Sequence, residues 1–412
     1  MRNIIISKSK NFITTSDFEF VERKGVGHPD TIADALAEKL SVEYSRFTLN
    51  NFGAILHHNF DKVGLLGGSS YVAFGKGYLV NPIRVLLNGR VSTSFAGKQI
   101  PVRKLLTKWT KIFFKRKLPI IDVNNDLCIH YNLSSQSSPG KLYGKASVKN
   151  TRHFFFEPRG IDDLDELNNP RANDTSLGVG YAPYSNLELL VLKIENYLNS
   201  NSFRKKNYWI GSDIKIMSFR KKNNYHMTIC VPQIANYVKN LQKYKSNLNK
   251  VKRIIKSIAD KHNPSVVEFK LDINTRDDYK TCDLYLTATG SSIESGDEGL
   301  VGRGNRINGL ISLLRPTSME GACGKNPVYH IGKLYNVAAQ EISKNIYKKY
   351  KIANSVYLVS QTGHNLLEPW IINLVVPASF GDERGLKKFV DNQLYSIPIL
   401  TQGLLKNKYQ LY

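Results

Sequence analysis

The periodicity of apolar residues along the chain is the feature that most restricts its fold. Pairs of short segments alternate apolar and polar residues, as half-buried strands do, and one such pair spans 212–232. Between the pairs lie longer segments whose apolar residues recur three or four positions apart, as in helices that pack one face on a sheet. These segments are 30–47, 187–198, 234–262 and 335–350. Strands and helices do not alternate singly, so the pattern predicts an α+β architecture with several layers of sheet and helix.

Three further segments give local expectations. Residues 81–95, "NPIRVLLNGRVSTSF", predict a hairpin with an Asn-Gly turn. Residues 102–115 predict a basic helix, and residues 126–140 predict a strand that continues into a serine-rich loop. The 412 residues are too many for one ordinary hydrophobic core, and we expect about two or three domains.

The composition narrows the class of protein. The net charge is +24, from 58 Lys and Arg against 34 Asp and Glu, which suits a solvated surface, a polyanionic substrate or a nucleic acid. Short basic clusters are scattered along the chain, and no RRM, KH or helix-turn-helix signature is present, so nucleic acid is an improbable partner. No apolar run reaches the roughly 18 residues of a membrane helix. The four cysteines are far apart without CxxC spacing, and together with the lack of a signal peptide they predict a cytoplasmic protein.

Four polar, glycine-rich stretches carry most of the candidate chemistry. In the first, "VERKGVGHPD" (21–30), His28 and Asp30 stand where a helix is predicted to begin. Helix N-termini favour anions, so the pair could serve a phosphate group and its Mg²⁺ ion. Asp30 could equally be a helix cap beside a hydrogen-bonded histidine.

The other three stretches add carboxylates and cations. Residues 171–183, "RANDTSLGVGYAP", contain Asp174 but lack a complete dinucleotide fingerprint. Residues 289–310, "TGSSIESGDEGLVGRGNRINGL", combine Asp297 with Arg303, and residues 315–336, "RPTSMEGACGKNPVYHIGKLYN", place Lys325 close to His330. Carboxylates can hold Mg²⁺ while arginine and backbone N–H groups grip phosphate oxygens. Together these stretches predict a polyphosphate site with a divalent metal.

The same stretches resemble the archaeal-type methionine adenosyltransferases, also called S-adenosylmethionine synthetases. The resemblance runs through "VERKGVGHPD", "LHHNFDKV", "ANDTSLGVGYAP", "GSDIKIM", "GDEGLVGRGNRINGL", "RPTSMEGACGKNPVYHIGKLYN" and "SQTG…EP", in this order over nearly all 412 residues. It implies three similar sheet-plus-helix domains built from interleaved segments: 1–26 with 186–293, 27–149 with 325–335, and 150–185 with 294–324 and 336–412. It also implies a homodimer with its active sites between the subunits.

The resemblance further implies a reaction and its ligands. The thioether sulfur of L-methionine attacks the 5′ carbon of ATP, and the tripolyphosphate released is cut to phosphate and pyrophosphate. Two Mg²⁺ ions and K⁺ are the implied cofactors. The implied catalytic residues are His28, Lys215, Arg303 and Lys325. ATP or triphosphate contacts fall to Ser135, Gln136, Ser137, Asp213, Asn305, Asn326, His330 and Lys333, methionine contacts to Glu22, Gln136, Asp174 and Asp297, and metal contacts to Asp30 and Asp297.

One loop departs from the family pattern. Where the family has "D…R-I-G-Q-G-S", this chain has "HYNLSSQSSPG" (130–140), so His130 and Asn132 replace an aspartate and an arginine. Ser135 and Ser137 replace the glycines around Gln136. The phosphate-handling residues look complete, whereas the amino-acid-handling part looks altered. The alternatives are therefore a paralogue that uses a methionine analogue or another thioether, or a degenerate homologue that binds ATP or tripolyphosphate as a regulator.

Overall fold

Runs of short strands are separated by helices in the computed structural model, which describes residues 3–12, 16–136, 154–164, 169–262 and 266–412. The helices are α1 (Pro29–Phe52), α2 (Val102–Lys117), α3 (Asn186–Leu198), α4 (Asn201–Lys206), α5 (Leu241–His262), α6 (Ile331–Tyr350), α7 (Glu383–Leu394) and α8 (Ile397–Leu405). The strands of the first half are β1 (Ile4–Ser9), β2 (Phe18–Lys24), β3 (His58–Asn59), β4 (Gly64–Leu66), β5 (Ser69–Ala73), β6 (Lys76–Asn81), β7 (Ile83–Val91), β8 (Ser94–Phe95), β9 (Lys98–Gln99) and β10 (Leu127–Ser134). The strands of the second half are β11 (Leu177–Ala182), β12 (Lys215–Lys221), β13 (Asn224–Cys230), β14 (Gln233–Ile234), β15 (Glu268–Ile273), β16 (Leu286–Thr287), β17 (Glu298–Leu300), β18 (Ile311–Ser312), β19 (Asn354–Val359) and β20 (Ile371–Pro377).

Three sheets of four or five strands organise these elements. Their strand orders are β1-β20-β19-β11, then β10-β7-β4-β17 with β3 added on β7, and β15-β13-β12-β2-β18. Each sheet shares a separate hydrophobic cluster with its own helices. Helices α6, α7 and α8 contribute to the cluster of the first sheet, α1 and α2 to that of the second, and α3 and α5 to that of the third. The α+β architecture predicted from the apolar pattern is confirmed.

Segments distant in sequence meet in every sheet. Strand β1 pairs with β20, β17 pairs with β4, and β2 lies between β12 and β18. The three-domain division implied by the resemblance places β1 with residues 186–293 and β17 with the last third of the chain, whereas these pairings join them to other sheets. The interleaving brings the glycine-rich segments 296–310 and 324–332 against α1. The boundaries of the domains stay a prediction.

Most predicted helices are confirmed, and two local expectations are wrong. Residues 81–95 form no hairpin, because β7 runs without a turn through Asn88 and Gly89 and pairs with β10 along its whole length. A Cβ atom on Gly89 would lie 2.4 Å from the carbonyl oxygen of Asn59, so this glycine allows close strand approach rather than a turn. The helix expected from residue 234 begins only at Leu241, after a short strand and a 3₁₀ turn. None of the described helices is both long and apolar enough to cross a membrane.

Candidate functional site

His28 occupies the N-cap position of α1. Its backbone is extended, and its Nδ1 accepts a hydrogen bond of 3.2 Å from the backbone N–H of Asp30. Burial lowers the pKa of His28, although the nearby carboxylates of Asp213 and Asp30 oppose the shift. The imidazole is therefore neutral at pH 7, and since Nδ1 is an acceptor, the proton resides on Nε2. The helix start thus offers one N–H donor from His28 next to the positive end of the helix dipole.

Asp30 lies in the first turn of the helix and contacts two other segments. One carboxylate oxygen accepts a 2.7 Å bond from Lys24 Nζ, and the other accepts a 3.0 Å bond from the backbone N–H of Leu300. Lys24 Nζ also donates to the carbonyl oxygen of Arg303 at 2.8 Å. Asp30 and Lys24 therefore hold the segment "GLVGRG" (299–304) at Leu300 and Arg303, while the Arg303 side chain remains exposed.

A chain of polar contacts connects two more of the predicted residues. Asp213 is buried and accepts hydrogen bonds from the Ser292 hydroxyl at 2.7 Å and from Tyr285 at 3.2 Å. Ser292 lies 2.9 Å from a carboxylate oxygen of the exposed Asp297. Burial raises the pKa of Asp213, and the hydrogen bonds from Ser292 and Tyr285 oppose this. Two carboxylates from separate segments therefore reach the start of α1.

The neighbouring strands β2 and β12 contribute an ion pair to the residues near the start of α1. Lys215 at the start of β12 lies beside β2, and its Nζ is 3.5 Å from a carboxylate oxygen of Glu22. Asn305 binds the backbone of Lys24 at both ends of its amide, with distances of 3.0 and 2.7 Å. We call the set the α1 site: Glu22, Lys24, His28, Asp30, Asp213, Lys215, Asp297 and Arg303. Asn305 positions its backbone, and a direct contact of Asn305 with ATP stays a prediction.

A second group of predicted residues surrounds the start of α6. Lys325 is buried and pairs with Asp61 at 2.5 Å and with Glu320 at 3.3 Å. Burial alone would raise the pKa of Asp61, but the charge of Lys325 lowers it to about 2. His330 is the N-cap of α6, and its Nδ1 accepts from the backbone N–H of Gly332 at 3.3 Å. Burial lowers the pKa of His330 well below its usual value, with Lys325 adding to the effect.

The remaining two residues of this group are enclosed. The Lys333 ammonium has no exposed surface and contacts both carboxylate oxygens of Glu38, at 2.9 and 2.7 Å. Asn326, also fully buried, donates to the carbonyl oxygen of Leu56 at 3.1 Å. A direct phosphate contact by Lys333 would require the pair with Glu38 to open. We call the set Lys325, Asn326, His330 and Lys333 the α6 site.

Residues 171–176, for which the resemblance implies a methionine contact through Asp174, lie beside the α6 site. Asn173 accepts a 2.9 Å hydrogen bond from the backbone N–H of Ile331, so the exposed Asp174 follows directly on a contact with the helix start. At the end of β10, Ser135 lies 3.4 Å from Glu157, and Gln136 is exposed. Ser137 lies outside the described residues. The contacts of Asp174, Ser135 and Gln136 with a substrate stay predictions.

Four successive turns of α1 connect the two sites. Asp30, Asp34 and Glu38 accept backbone N–H groups from Leu300, Gly302 and Gly324, at 3.0, 2.9 and 3.0 Å. Ser41 continues this face and donates to the carbonyl oxygen of Lys325 at 3.0 Å. Asp30 and Glu38 are eight residues apart, or about 12 Å along the helix axis. One face of α1 therefore sets the spacing of both glycine-rich segments.

The described residues provide only some of the ligands that a divalent metal ion needs. The described residues contain no group of three or more histidine, cysteine, aspartate or glutamate side chains that could hold an ion. Asp30 and Asp297 each offer one carboxylate, the first paired with Lys24 and the second exposed beside Ser292. Mg²⁺ is commonly bound by one or two carboxylates plus substrate phosphates, so this donor set fits an ion that arrives with a polyphosphate.

Several residues that build the site escaped the sequence reasoning. Lys24 and Asp61 stand inside the matching motifs, and that position was their only signal. Ser292 and Glu38 had no signal, because their partners are 79 and 295 positions away. Side chains that act through distant partners become visible only once the chain has folded.

The comparisons with known proteins agree with this architecture. The model of the S-adenosylmethionine synthetase (AdoMet synthetase) family matches residues 2–408. The chain belongs to this family. A relative from Aquifex aeolicus, named probable S-adenosylmethionine synthase, is 37% identical over 99% of both chains. The S-adenosylmethionine synthase of Methanocaldococcus jannaschii is 39% identical over 91% of this chain and 90% of its own.

A solved structure supports the fold independently. It is described as an unusual S-adenosylmethionine synthetase from Campylobacter jejuni, and it superposes with a TM-score of 0.57. The match covers 96% of this chain and 90% of that chain at 14% identity. The family resemblance found in the motifs is therefore confirmed at the level of family and fold. Members of this family generally use metal ions.

Proposed function

We propose that the protein is a methionine adenosyltransferase that forms S-adenosylmethionine from ATP and L-methionine. The observation that carries the proposal is the neutral His28, held at the N-terminus of α1 with its Nε2–H free to donate. The cations Lys24 and Lys215 and the carboxylates of Asp213 and Asp30 lie near its imidazole. The exposed side chain of Arg303 belongs to the segment that Asp30 and Lys24 hold. This is an arrangement for a leaving polyanion rather than for an acid–base pair.

The chemistry needs little from the protein beyond alignment and charge stabilisation. The sulfur of methionine forms a bond to the 5′ carbon of ATP, and the bond from that carbon to the triphosphate oxygen breaks. A thioether loses no proton, so no general base is required. Negative charge grows on the departing oxygen, where the His28 Nε2–H donates and Lys215 and Arg303 offset the charge. The tripolyphosphate is then hydrolysed to phosphate and pyrophosphate before release.

The cofactors proposed are two Mg²⁺ ions and K⁺. Asp30 and Asp297 would hold Mg²⁺, which supplies positive charge to the triphosphate oxygens when bound. Glu22 would face the methionine and the K⁺ ion. The ion pair between Glu22 and Lys215 is 3.5 Å long, and the Lys215 side chain is 44% exposed, so this pair can open to accept substrate groups.

The proposed assembly is a homodimer in which the α1 site of one subunit faces the α6 site of the other. Large apolar side chains are exposed directly beside the α1 site, namely Met217 opposite Glu22 and Leu300 next to Asp30. Tyr71 and Tyr78, stacked on each other on the β5–β6 hairpin, are also exposed. Large apolar side chains exposed near a candidate site are a reason to expect a subunit contact there. Three domains with interleaved segments and a cytoplasmic location complete the proposal.

A second candidate keeps the reaction and changes the thioether. It is favoured by β10, where His130 and Asn132 are exposed two positions apart, and by Gln136, which is exposed just beyond the end of the strand. His130 and Asn132 therefore face the same side of the strand, and both depart from the family pattern.

One experiment separates these functions from a regulatory role. Purified protein is incubated with ATP, Mg²⁺, K⁺ and a panel of thioethers, and sulfonium products are identified by mass spectrometry. The principal proposal expects S-adenosylmethionine from methionine. A product from another thioether alone would favour the second candidate. ATP binding without any sulfonium product would contradict both and indicate a regulatory homologue.

A further inference from the structure

A cavity of about 400 Å³ lies between α1, α2, α4 and the segment 407–412. Its lining includes four basic side chains, Lys39, Arg116, Lys117 and Arg204. We name it the basic cavity. None of these four belongs to the α1 site or the α6 site, and the adenosyl transfer proposed above does not use them.

Within the described part of the chain, three of the four cations lack a carboxylate partner. Lys39 pairs with Glu43 at 2.7 Å. Among the described residues, Arg116, Lys117 and Arg204 form no ion pair with an acidic side chain. Among the described residues that line the cavity, Glu38 is the one acidic side chain. Its carboxylate already binds Lys333 and the backbone N–H of Gly324. The cavity is therefore electropositive.

The charges in the basic cavity are also partly removed from water. Burial lowers the pKa of Lys117 to about 8, and Arg204 lowers it further, against the opposing charge of Glu195. Burial likewise lowers the pKa of Arg204. Uncompensated buried cations are unfavourable, and an anion placed between them would remove much of that penalty.

From this cluster and cavity we propose that the basic cavity is a second anion site, which binds small condensed phosphates such as pyrophosphate. Two guanidinium groups suit phosphate oxygens, because each offers a planar pair of donors. The volume exceeds the need of one phosphate group, since a water molecule takes roughly 30 Å³ in the liquid. Ser212 adds a hydroxyl at the wall.

The position of the basic cavity connects it to the start of α1. The Lys117 ammonium lies 3.5 Å from the carbonyl oxygen of Val26. The backbone N–H of the next residue, Gly27, donates to the carbonyl oxygen of Ser212 at 3.0 Å. A Cβ atom on Gly27 would lie 2.2 Å from the Ser212 hydroxyl oxygen, so the two residues are in close contact. An anion bound by Lys117 would therefore act on the turn that immediately precedes His28.

The test is a calorimetric titration with pyrophosphate in the absence of ATP. Wild-type protein should bind at two sites per chain. The double variant Lys117→Gln/Arg204→Gln should lose one of them, with at least a tenfold rise in its dissociation constant, because one charged hydrogen bond is worth roughly that factor. The matched control Lys115→Gln/Lys205→Gln removes the same charge from the exposed sides of α2 and α4, and it should keep both sites.

A further variant and a thermal-melting measurement test the same site independently. Arg116→Gln changes an exposed side chain and should weaken the same binding event even if the double variant folds poorly. Pyrophosphate should raise the melting temperature less in Arg116→Gln than in the control, because it binds the native state. The proposal is overturned if wild type binds at one site only, if the control loses binding equally, or if citrate binds as tightly as pyrophosphate. None of these readouts depends on adenosyl transfer.

Discussion

At the scale of single residues, His28 has two separable duties. Its Nδ1 caps α1, and its Nε2–H is the proposed donor to the leaving group. His28→Asn keeps a capping oxygen but loses the second donor, whereas His28→Ala loses both. We expect both variants to lower the rate by about 10²–10³, as for other oxyanion donors, and only His28→Ala to lose about 0.5–2 kcal/mol of stability.

The check is a rate assay beside thermal melting for both His28 variants. Wild-type activity in His28→Asn would mean that the imidazole only caps the helix. Asp30→Asn belongs to the same series. It should fold, since an amide oxygen can still accept from Leu300, and it should lose most activity.

The buried carboxyl of Asp34 makes the stability of the protein depend on pH. Burial raises its pKa to about 7, and its Oδ2 has no hydrogen-bond partner among the described residues. The folded state therefore holds a proton that the unfolded state releases near pH 4, so stability falls as the pH rises from about 4 to about 7. Arg306 and Lys24 oppose the raised pKa, and Asp30 adds to it.

The variant Asp34→Asn removes this titration and keeps an acceptor for Gly302. The stability of wild type relative to the variant should fall with rising pH by up to about 1.4 kcal/mol per pH unit across that window. Denaturant melts at pH 4.5 and pH 8 measure the difference. An identical difference at both pH values would contradict the prediction.

At the scale of elements, β10 and its loop are the part most altered in this chain. Strand β10 is an edge strand, His130 and Asn132 share its exposed face, and Gln136 is exposed just beyond its end. The substitutions His130→Asp, Asn132→Arg, Ser135→Gly and Ser137→Gly restore the family pattern. They should lower the apparent methionine constant at least about tenfold, because a fixed charge and permissive backbone angles return together.

The matching measurement titrates methionine and ATP separately in wild type and in the restored variant. The ATP constant should stay within about twofold, because the residues of the α1 site are unchanged; this bound corresponds to less than one hydrogen bond. A shift in the ATP constant alone would show that this loop serves the nucleotide.

At the scale of the whole molecule, the α1 and α6 sites test the proposed dimer. A mixed dimer of His28→Ala and Lys325→Ala subunits has one intact composite site if each site spans both subunits. Its activity should be about half that of wild type, since a symmetric dimer has two equivalent sites. The mixed dimer is isolated through two different tags. A mixed dimer of His28→Ala with Asp30→Asn is the control and should remain inactive.

The mixed dimer also tests the alternative that each active site lies within one subunit. If each active site lay within one chain, both mixed dimers would be as inactive as the single variants. The His28 and Lys325 sites would then have to meet along α1, across the roughly 12 Å that separate Asp30 from Glu38.

The sequence determined the amphipathic helices and the α+β class, because periodicity is a local property that packing preserves. It also placed His28 at a helix start, since Pro29 and the apolar pattern mark that boundary. The continuous β7 was missed because Asn88-Gly89 is a local turn signal, and only contact with Asn59 shows why the glycine is there.

Tertiary structure alone decided which predicted cations stay available. Arg303 and Lys333 are both predicted from the sequence to bind phosphate. In the structure the Lys333 ammonium is buried against Glu38, whereas the Arg303 side chain remains exposed. The ladder of Asp30, Asp34, Glu38 and Ser41, and the basic cavity between α1, α2 and α4, also depend on folding. Their partners are dozens to hundreds of positions apart, and the physical reason is burial: charge and desolvation depend on the neighbours in space, which no local pattern specifies.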